Sequence, residues 1–390
     1  MKKISLKVIM LFIGITTVGC SNTKMAFDIN KIERNRVLTN AATYLSELPE
    51  TVTTSFCDRS TGTQHDFYSE GDYWWPDEKN PNGPYIRKDG LTNPANFTAH
   101  REALIRFSQI AGALASAYVL TNEKKYADKL ALHLKAWFVN PDTKMNANLL
   151  YAQAIKGVAT GRGIGIIDTV HLVEVTKAIH AIENSSALTK ADLEAIKLWF
   201  SIYLNWITTH EYGIAERDNG NNHSVCWTMQ VAAFADLIKD TKTMDYCRNF
   251  YKTTLLPNQM DKNGSFPLEL KRTKPYGYSL FNLDAMTSIC QILSTKQDNL
   301  FAYTTIDGKN LELGIKFIVP FIENKSVWPF QHDVMYWDEW PVRQSSLLFG
   351  GIAFKNKKYM DLWKSLKSDV RTPEIIRNMP VRYPILWVLN

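Results

Sequence analysis

Much that announces common chemistries is missing from this 390-residue chain. It has no Gly-x-Ser-x-Gly elbow for a serine nucleophile, and no Gly-rich loop ending in Lys-Ser/Thr to cradle phosphate. Gly157, Gly161, Gly163 and Gly165 crowd together, but no strand precedes them and no Lys-Ser/Thr follows, so a tight turn is expected there. Cysteine is scarce, at five residues. Cys57, Cys226, Cys247 and Cys290 stand far apart, so they read as small buried side chains rather than a disulfide framework or a metal site. His210, His223 and Cys226 have no usual zinc spacing, and neither metal nor cofactor is expected. After the N-terminal segment no apolar run approaches ~18 residues, so no membrane-spanning helix is expected. Charge is nearly balanced, with 45 Lys and Arg against 39 Asp and Glu and a net +6. That excludes the dense basicity of a nucleic-acid binder and suits a mildly basic cleft for an acidic glycan.

The first residues read as an address. Lys2, Lys3 and Lys7 precede an apolar run from Val8 to Ile15, and Thr17-Val18-Gly19-Cys20 resembles a bacterial lipobox. Residues 1–19 are expected to be a lipoprotein signal peptide. Cys20 would be lipidated, residues 20–30 would form the tether, and 31–390 would be a single domain. The tether lacks an acidic run, which favours the periplasmic face of the outer membrane; cell-surface display remains open.

What the rest of the chain has in abundance is helical periodicity. Leu104, Phe107, Ala111, Leu114 and Tyr118 lie on one helical face, as do Leu130, Leu134, Trp137 and Phe138. Leu172, Val175, Ile179 and Ile182 repeat the spacing. Thr189 with Asp192 forms a variant capping box before a helix carrying Leu193, Ile196, Phe200, Tyr203 and Ile207. Further helices are expected after Ser224, Leu280 and Leu311, and from Tyr359 to Leu366. No stretch alternates with period two for long. The chain is therefore all-α. Its length would overfill one bundle core, which favours a ring of helical hairpins, an (α/α) toroid with an open cleft at one end. Two loops are rich in aromatics: 68–90, with Tyr73, Trp74, Trp75 and Tyr85, and 327–343, with Trp328, Phe330, Tyr336, Trp337 and Trp340. Such rings can stack on sugar faces.

Two stretches carry the chemistry. Asn221-Asn222-His223-Ser224 offers amides and an imidazole; Glu269-Leu270-Lys271-Arg272-Thr273-Lys274-Pro275-Tyr276-Gly277-Tyr278-Ser279 offers a guanidinium and phenols. This set suits β-elimination in a uronic-acid polymer. Donors neutralise the uronate carboxylate so that the C5 proton becomes acidic, and a Tyr beside a cation takes that proton and returns it to the leaving oxygen. In β-1,4-linked mannuronate or glucuronate, H5 and O4 share a ring face, so one phenol can do both in a syn elimination. Arg272 is expected to lower the pKa of the phenol toward working pH.

Asn222-His223, the Arg272/Tyr278 pair, the Tyr73-Trp74-Trp75-Pro76 loop, the segment from Met145 to Gln153 and the closing Val381-Arg382-Tyr383-Pro384 together resemble the alginate-lyase-like polysaccharide lyases. Mannuronate-cleaving alginate lyases and glucuronan-acting relatives make up that family, and the resemblance runs from about Asp66 to Leu386. It implies a single-domain, metal-free (α/α) toroid. Asn222, His223 and Arg272 would contact the carboxylate at the cleavage point and Tyr278 would transfer the proton, with Tyr276 as the alternative phenol. Tyr73, Trp74, Trp75, Asn148, Tyr151, Gln153, Tyr276 and Trp337 are the expected substrate contacts. The Arg-to-Tyr spacing is one residue shorter than in mannuronate-specific members, which tilts the expected substrate toward glucuronan. The partner would be an acidic polysaccharide, with membrane contact only through Cys20, and a monomer is expected. Two rivals remain: a glycoside hydrolase on a similar toroid using Asp333, Asp338 and Glu339, and a non-catalytic glycan-binding lipoprotein.

Overall fold

The computed structural model describes residues 27–388. The expected signal segment, the lipidation residue Cys20 and most of the tether lie outside the described residues. Helix α1 (Ile29–Tyr44) begins inside the expected tether, capped by Asp28, whose carboxylate accepts the Lys31 N–H at 3.0 Å.

Along the chain follow α2 (Ala99–Thr121), α3 (Lys124–Phe138), α4 (Leu172–Ile182), α5 (Lys190–Thr209) and a short α6 (Glu211–Arg217). Next come α7 (Asn222–Ile238), α8 (Thr241–Phe250) and the one-turn α9 (Leu256–Gln259) and α10 (Pro267–Leu270). The last are α11 (Pro275–Leu293), α12 (Leu311–Glu323), α13 (Ser345–Ala353), α14 (Lys357–Ser365) and α15 (Pro373–Arg377). Helices α2, α4, α7, α11 and α13 touch in succession as an inner row, and α3, α5, α8, α12 and α14 pack outside them. Burial follows from that arrangement. Inner α11 buries every residue except Gln291, while outer α3 buries one stripe that includes Tyr126, Leu130, Leu134 and Trp137. This is the expected (α/α) toroid. Its open side is filled by α1 and the C-terminal turn Pro384–Leu386, which touches α1, α2 and α4. Buried Glu174 on α4 anchors that turn by accepting the Arg382 and Tyr383 N–H groups at 2.8 and 2.7 Å. Of the described helices, α2 alone has the length and apolarity to cross a membrane; it stands in the inner row with much of its surface buried.

The Thr189–Asp192 capping box forms as read from sequence, and Cys57, Cys226, Cys247 and Cys290 are buried free thiols. Two helices start earlier than their apolar periodicity. Helix α7 opens at Asn222, with polar residues facing a cleft, and α11 at Pro275, whose first turn of proline, glycine and two tyrosines shows no apolar repeat. Four short strands were not legible, being two to four residues long and too brief to alternate. β1 (Tyr68–Glu70) pairs in parallel with β4 (Tyr151–Ala154), and β2 (Trp74–Trp75) pairs antiparallel with β3 (Ile86–Arg87).

Candidate active site

The first turns of α7 and α11 lie beside a cleft of about 320 Å³. Gly220 turns the chain into α7 with φ +86°, a left-handed value that favours glycine. Asn221 then caps the helix by accepting the His223 N–H at 3.0 Å. Buried Glu269 grips Asn222 twice, accepting its backbone N–H at 2.8 Å and its side-chain amide at 2.7 Å. Burial pushes the Glu269 carboxyl up against the opposing pull of Asn222, Arg272 and His223. His223 meets the carboxylate of buried Glu216 on α6 through Nδ1 at 2.7 Å, and no partner is seen for the other Glu216 oxygen. The carboxylate fixes the ring so that Nε2 is the nitrogen left for the cleft. The positive end of α7 adds to the attraction for an anion there.

Helix α11 starts at Pro275, in the position where its missing N–H costs nothing. Asp333 caps it, accepting the Tyr276 and Gly277 N–H groups at 2.8 and 2.9 Å. A Cβ at Gly277 would stand 2.9 Å from both Asp333 and the Trp340 indole nitrogen, so only glycine allows this approach. Tyr278 thereby enters the cleft. Its Oη is 2.6 Å from the Tyr73 Oη and 3.5 Å from the Arg272 guanidinium, whose carbon lies 4.5 Å from the centroid of the Tyr278 ring. Arg272 also pairs with Asp89 at 3.2 Å, an oxygen shared with Arg87 at 2.7 Å.

The expected lowering of the Tyr278 pKa is not what the structure gives. Burial, joined by Tyr73, pushes the phenol well above its ordinary value, and Lys274 and Arg272 oppose this only in part. The physical reason is that Tyr278 is 9 % exposed, while the Arg272 charge is shared with Asp89. The phenol is neutral at neutral pH in the empty cleft.

Of the expected contacts, Tyr73, Trp74 and Gln153 line the cleft together with Asn222, His223, Arg272 and Tyr278. Gln153 is held at φ +50° and accepts from Arg162 at 3.1 Å. The other expected contacts stand elsewhere. Tyr276 is fully buried, donating to the Phe321 carbonyl at 3.1 Å and packing edge-on to Trp328 and Trp337, so of the two alternative phenols only Tyr278 lines the cleft. Trp337 stacks on His332 and lies outside the cleft lining, so the second aromatic loop mainly pins itself to α11 and α12. Trp75 is turned away, its indole N–H donating to the Leu91 carbonyl at 2.9 Å. Asn148 accepts the Leu150 N–H in a turn, and Tyr151 packs against the small core around Tyr68, beside Gly62.

Sequence reasoning missed Glu216, Arg87, Arg162 and Arg377. Glu269 lay inside the quoted stretch but had no role assigned to it. The cue for Arg162 was its place between two glycines; the others are scattered along the chain. Arg162 has no carboxylate within ion-pair distance, and burial lowers its pKa to about 10. The cleft-lining carboxylates, Asp72 and Glu374, are committed. Asp72 pairs with Arg101 at 2.6 Å and Arg377 at 2.7 Å, and Glu374 with Lys274 at 2.6 Å. These cations outweigh burial and hold both acids low. Asp333 is occupied as a helix cap, and Asp338 and Glu339 lie outside the cleft lining. None of these carboxylates stands as an acid/base pair astride the cleft, against the hydrolase alternative. His210 caps α6, and no group of three His, Cys, Asp or Glu able to hold a metal occurs among the described residues.

The family model described as alginate lyase matches residues 53–328. Among solved structures, an alginate lyase from Bacteroides ovatus is 30% identical, with 93% of this chain and 94% of that one covered and a TM-score of 0.80. Alginate lyase A1-III from Sphingomonas species A1 is 15% identical over 91% of this chain and 95% of its own, with a TM-score of 0.60. A variant of A1-III complexed with a tetrasaccharide is 14% identical over 91% and 94%, with a TM-score of 0.62. At that identity the last two share the fold alone. No curated protein matches by sequence. The chain belongs to the alginate lyase family and is a polysaccharide lyase.

Proposed function

We propose that the protein cleaves a β-1,4-linked uronan, glucuronan or polymannuronate, by metal-independent syn β-elimination. The observation that carries this reading is the convergence of Arg272, His223, Asn222 and Tyr278 on one cleft. The substrate carboxylate takes the place of Asp89 on Arg272 and accepts from His223 and Asn222, which lowers the cost of negative charge at C5. Ionised Tyr278 removes the C5 proton; the C4–O4 bond breaks with its electron pair as C4=C5 forms. The new phenol then protonates O4 and becomes a phenolate again. A phenolate with a raised pKa is a strong base, which offsets its small population at neutral pH. Neighbouring uronates would rest on Trp74, Gln153 and Arg162.

A second reading is favoured by the 2.7 Å His223–Glu216 contact: His223 takes the proton through Nε2 and Tyr278 serves as acid alone. A substrate with a leaving group that needs no protonation would then rescue Tyr278→Phe. The protein is further proposed to act as a monomer, lipid-anchored at Cys20 in the periplasm. Mass spectrometry of the membrane fraction would find an acylated N-terminal Cys20, or refute the anchor.

The substrate reading is tested by offering glucuronan, polymannuronate, polyguluronate and hyaluronan, with and without chelator, and following the ultraviolet absorbance of the conjugated C4–C5 alkene. Turnover of either syn-configured polymer, unchanged by chelator, is expected. Activity confined to polyguluronate would refute the syn reading, and loss with chelator reversed by added metal would refute metal independence.

A further inference from the structure

Behind Tyr278, on the side away from the open cleft, lies a charge that the elimination scheme does not use. Lys274 stands just before α11 and is 4 % exposed. Its ammonium lies 5.5 Å from the ring centroid of Tyr278, 5.1 Å from that of Tyr73 and 5.5 Å from that of Tyr336. It pairs with Glu374 at 2.6 Å, a carboxylate that Arg377 shares at 3.3 Å. Lys274 does not line the main cleft. It borders a small adjoining pocket with Asp333, Tyr336 and Glu374. A buried ammonium needs a reason, because desolvation alone would favour its neutral form. Glu374 and Tyr278 instead hold it charged.

We propose that Lys274 is a positioning residue for the elimination: its buried ammonium holds the negative charge on Tyr278 whenever that phenol's proton is away. This rests on Tyr278 being the proton-transfer group. The argument turns on what happens to the other nearby cation. Arg272 is paired with Asp89 in the empty cleft and, in the proposed reaction, with the substrate carboxylate, so its anionic partner changes during turnover. Lys274 lies outside the main cleft lining and keeps Glu374, an anion it shares with Arg377, so its charge beside the phenol is the same before and during turnover. The charged or titratable groups around Tyr278 are Tyr73 from the hairpin loop, Arg272 with Asp89, Lys274 with Glu374 and Arg377, Asp72 and His223 in the cleft, and Asp333 and Tyr336 in the adjoining pocket. Burial and Tyr73 raise the phenol, and of the two opposing cations Lys274 acts more strongly than Arg272.

The test is the pH dependence of kcat and KM for Lys274→Met and Lys274→Arg, with Tyr278→Phe as control. An opposite charge within about 4–6 Å moves a pKa by roughly 1–3 units. Losing the cation raises the Tyr278 pKa, so the rising limb of kcat should move up by about one pH unit or more. At neutral pH kcat should fall roughly 10- to 100-fold, with KM little changed, and Lys274→Arg should restore the limb toward wild type. If Lys274→Met does not fold, Lys274→Gln, whose amide can still donate to Glu374, removes the charge alone and carries the same expectation. A folded variant whose limb stays in place overturns the inference, whether or not kcat falls, because a merely structural role lowers activity without moving the limb. Retained turnover in Tyr278→Phe would instead overturn the assignment of Tyr278, and this inference with it.

Discussion

Tyr278→Phe removes one oxygen and keeps the ring. The hydroxyl it deletes has a 2.6 Å contact to Tyr73 and a 3.5 Å contact to Arg272. The ring's face, with the Arg272 guanidinium 4.5 Å from its centroid, is retained. A net hydrogen bond contributes about 0.5–1.5 kcal/mol, so stability should fall by on the order of 1 kcal/mol. Catalysis should fall far more. Losing a general acid or base costs roughly 10²–10⁴ in rate, and a phenol serving as both should reach or exceed the upper figure, about 5 kcal/mol of barrier. The two effects are separable by measuring thermal unfolding, oligosaccharide affinity and alkene absorbance on the same preparation. A folded variant with near-wild-type affinity and no measurable elimination is expected. Turnover within tenfold of wild type would refute the reasoning, and Tyr276 could not inherit the role without moving, since its hydroxyl is held by the Phe321 carbonyl in the core.

Arg272→Ala should lower kcat/KM by about 10²–10³, the usual loss for one donor that stabilises developing charge; wild-type rates would place carboxylate neutralisation elsewhere. Arg162→Ala should raise KM on polymer at least several-fold while leaving kcat within about threefold, because its guanidinium has no carboxylate partner in the empty cleft; an unchanged KM removes Arg162 from the polymer track. Asp72→Asn leaves Arg101 and Arg377 without their shared carboxylate, so unfolding should become easier by about 3–5 kcal/mol. Because the folded state holds Asp72 below the ordinary aspartate range, its contribution is complete above that range and lost as pH falls through it. The wild type should therefore lose more stability than Asp72→Asn between neutral pH and the acid range, which paired thermal scans would check.

The toroid was legible because its helices are long and bury regular stripes, as Leu130, Leu134 and Trp137 do on α3. Periodicity failed where function begins. Asn222 and His223 on α7 face the cleft, and on α11 the turn Pro275 to Tyr278 mixes a proline and a glycine with one core and one cleft tyrosine, so no apolar repeat marks either start. The proposed catalytic set was singled out through residue type and resemblance, but the groups packed behind it were not. Glu216 reaches His223 from a different helix, and Asp89 reaches Arg272 across 183 positions of sequence. Aromatic content misled in the second loop, where Trp328, Trp337 and Phe330 pack on Tyr276, Phe317 and Phe321. Composition alone cannot tell a ring that anchors a loop from one that meets a sugar. The pKa of Tyr278 failed for a related reason: sequence places Arg272 nearby but says nothing of the burial and the Asp89 partner that weaken its effect.

If Arg272 receives the substrate carboxylate as proposed, Asp89 lets one cleft be both charged and selective. In the empty enzyme it accepts from Arg87, Arg272 and Thr273 at 2.7 to 3.2 Å, which satisfies cations that would otherwise stand half-buried and alone. A uronate carboxylate entering on Arg272 exchanges one anion for another, so the guanidinium is never left unpaired and the exchange costs little. A neutral sugar has no such group to offer. It would leave Arg272 on Asp89, the C5 proton unactivated and Tyr278 with no acidic hydrogen within reach. On the proposed mechanism, selectivity for uronic acids would follow from the same contact that activates C5. On the proposed mechanism the choice among uronans would depend on the sugar-ring face presented to Tyr278, with the Tyr73 phenol against it and His223 on α7 the other groups in the cleft that could exchange a proton.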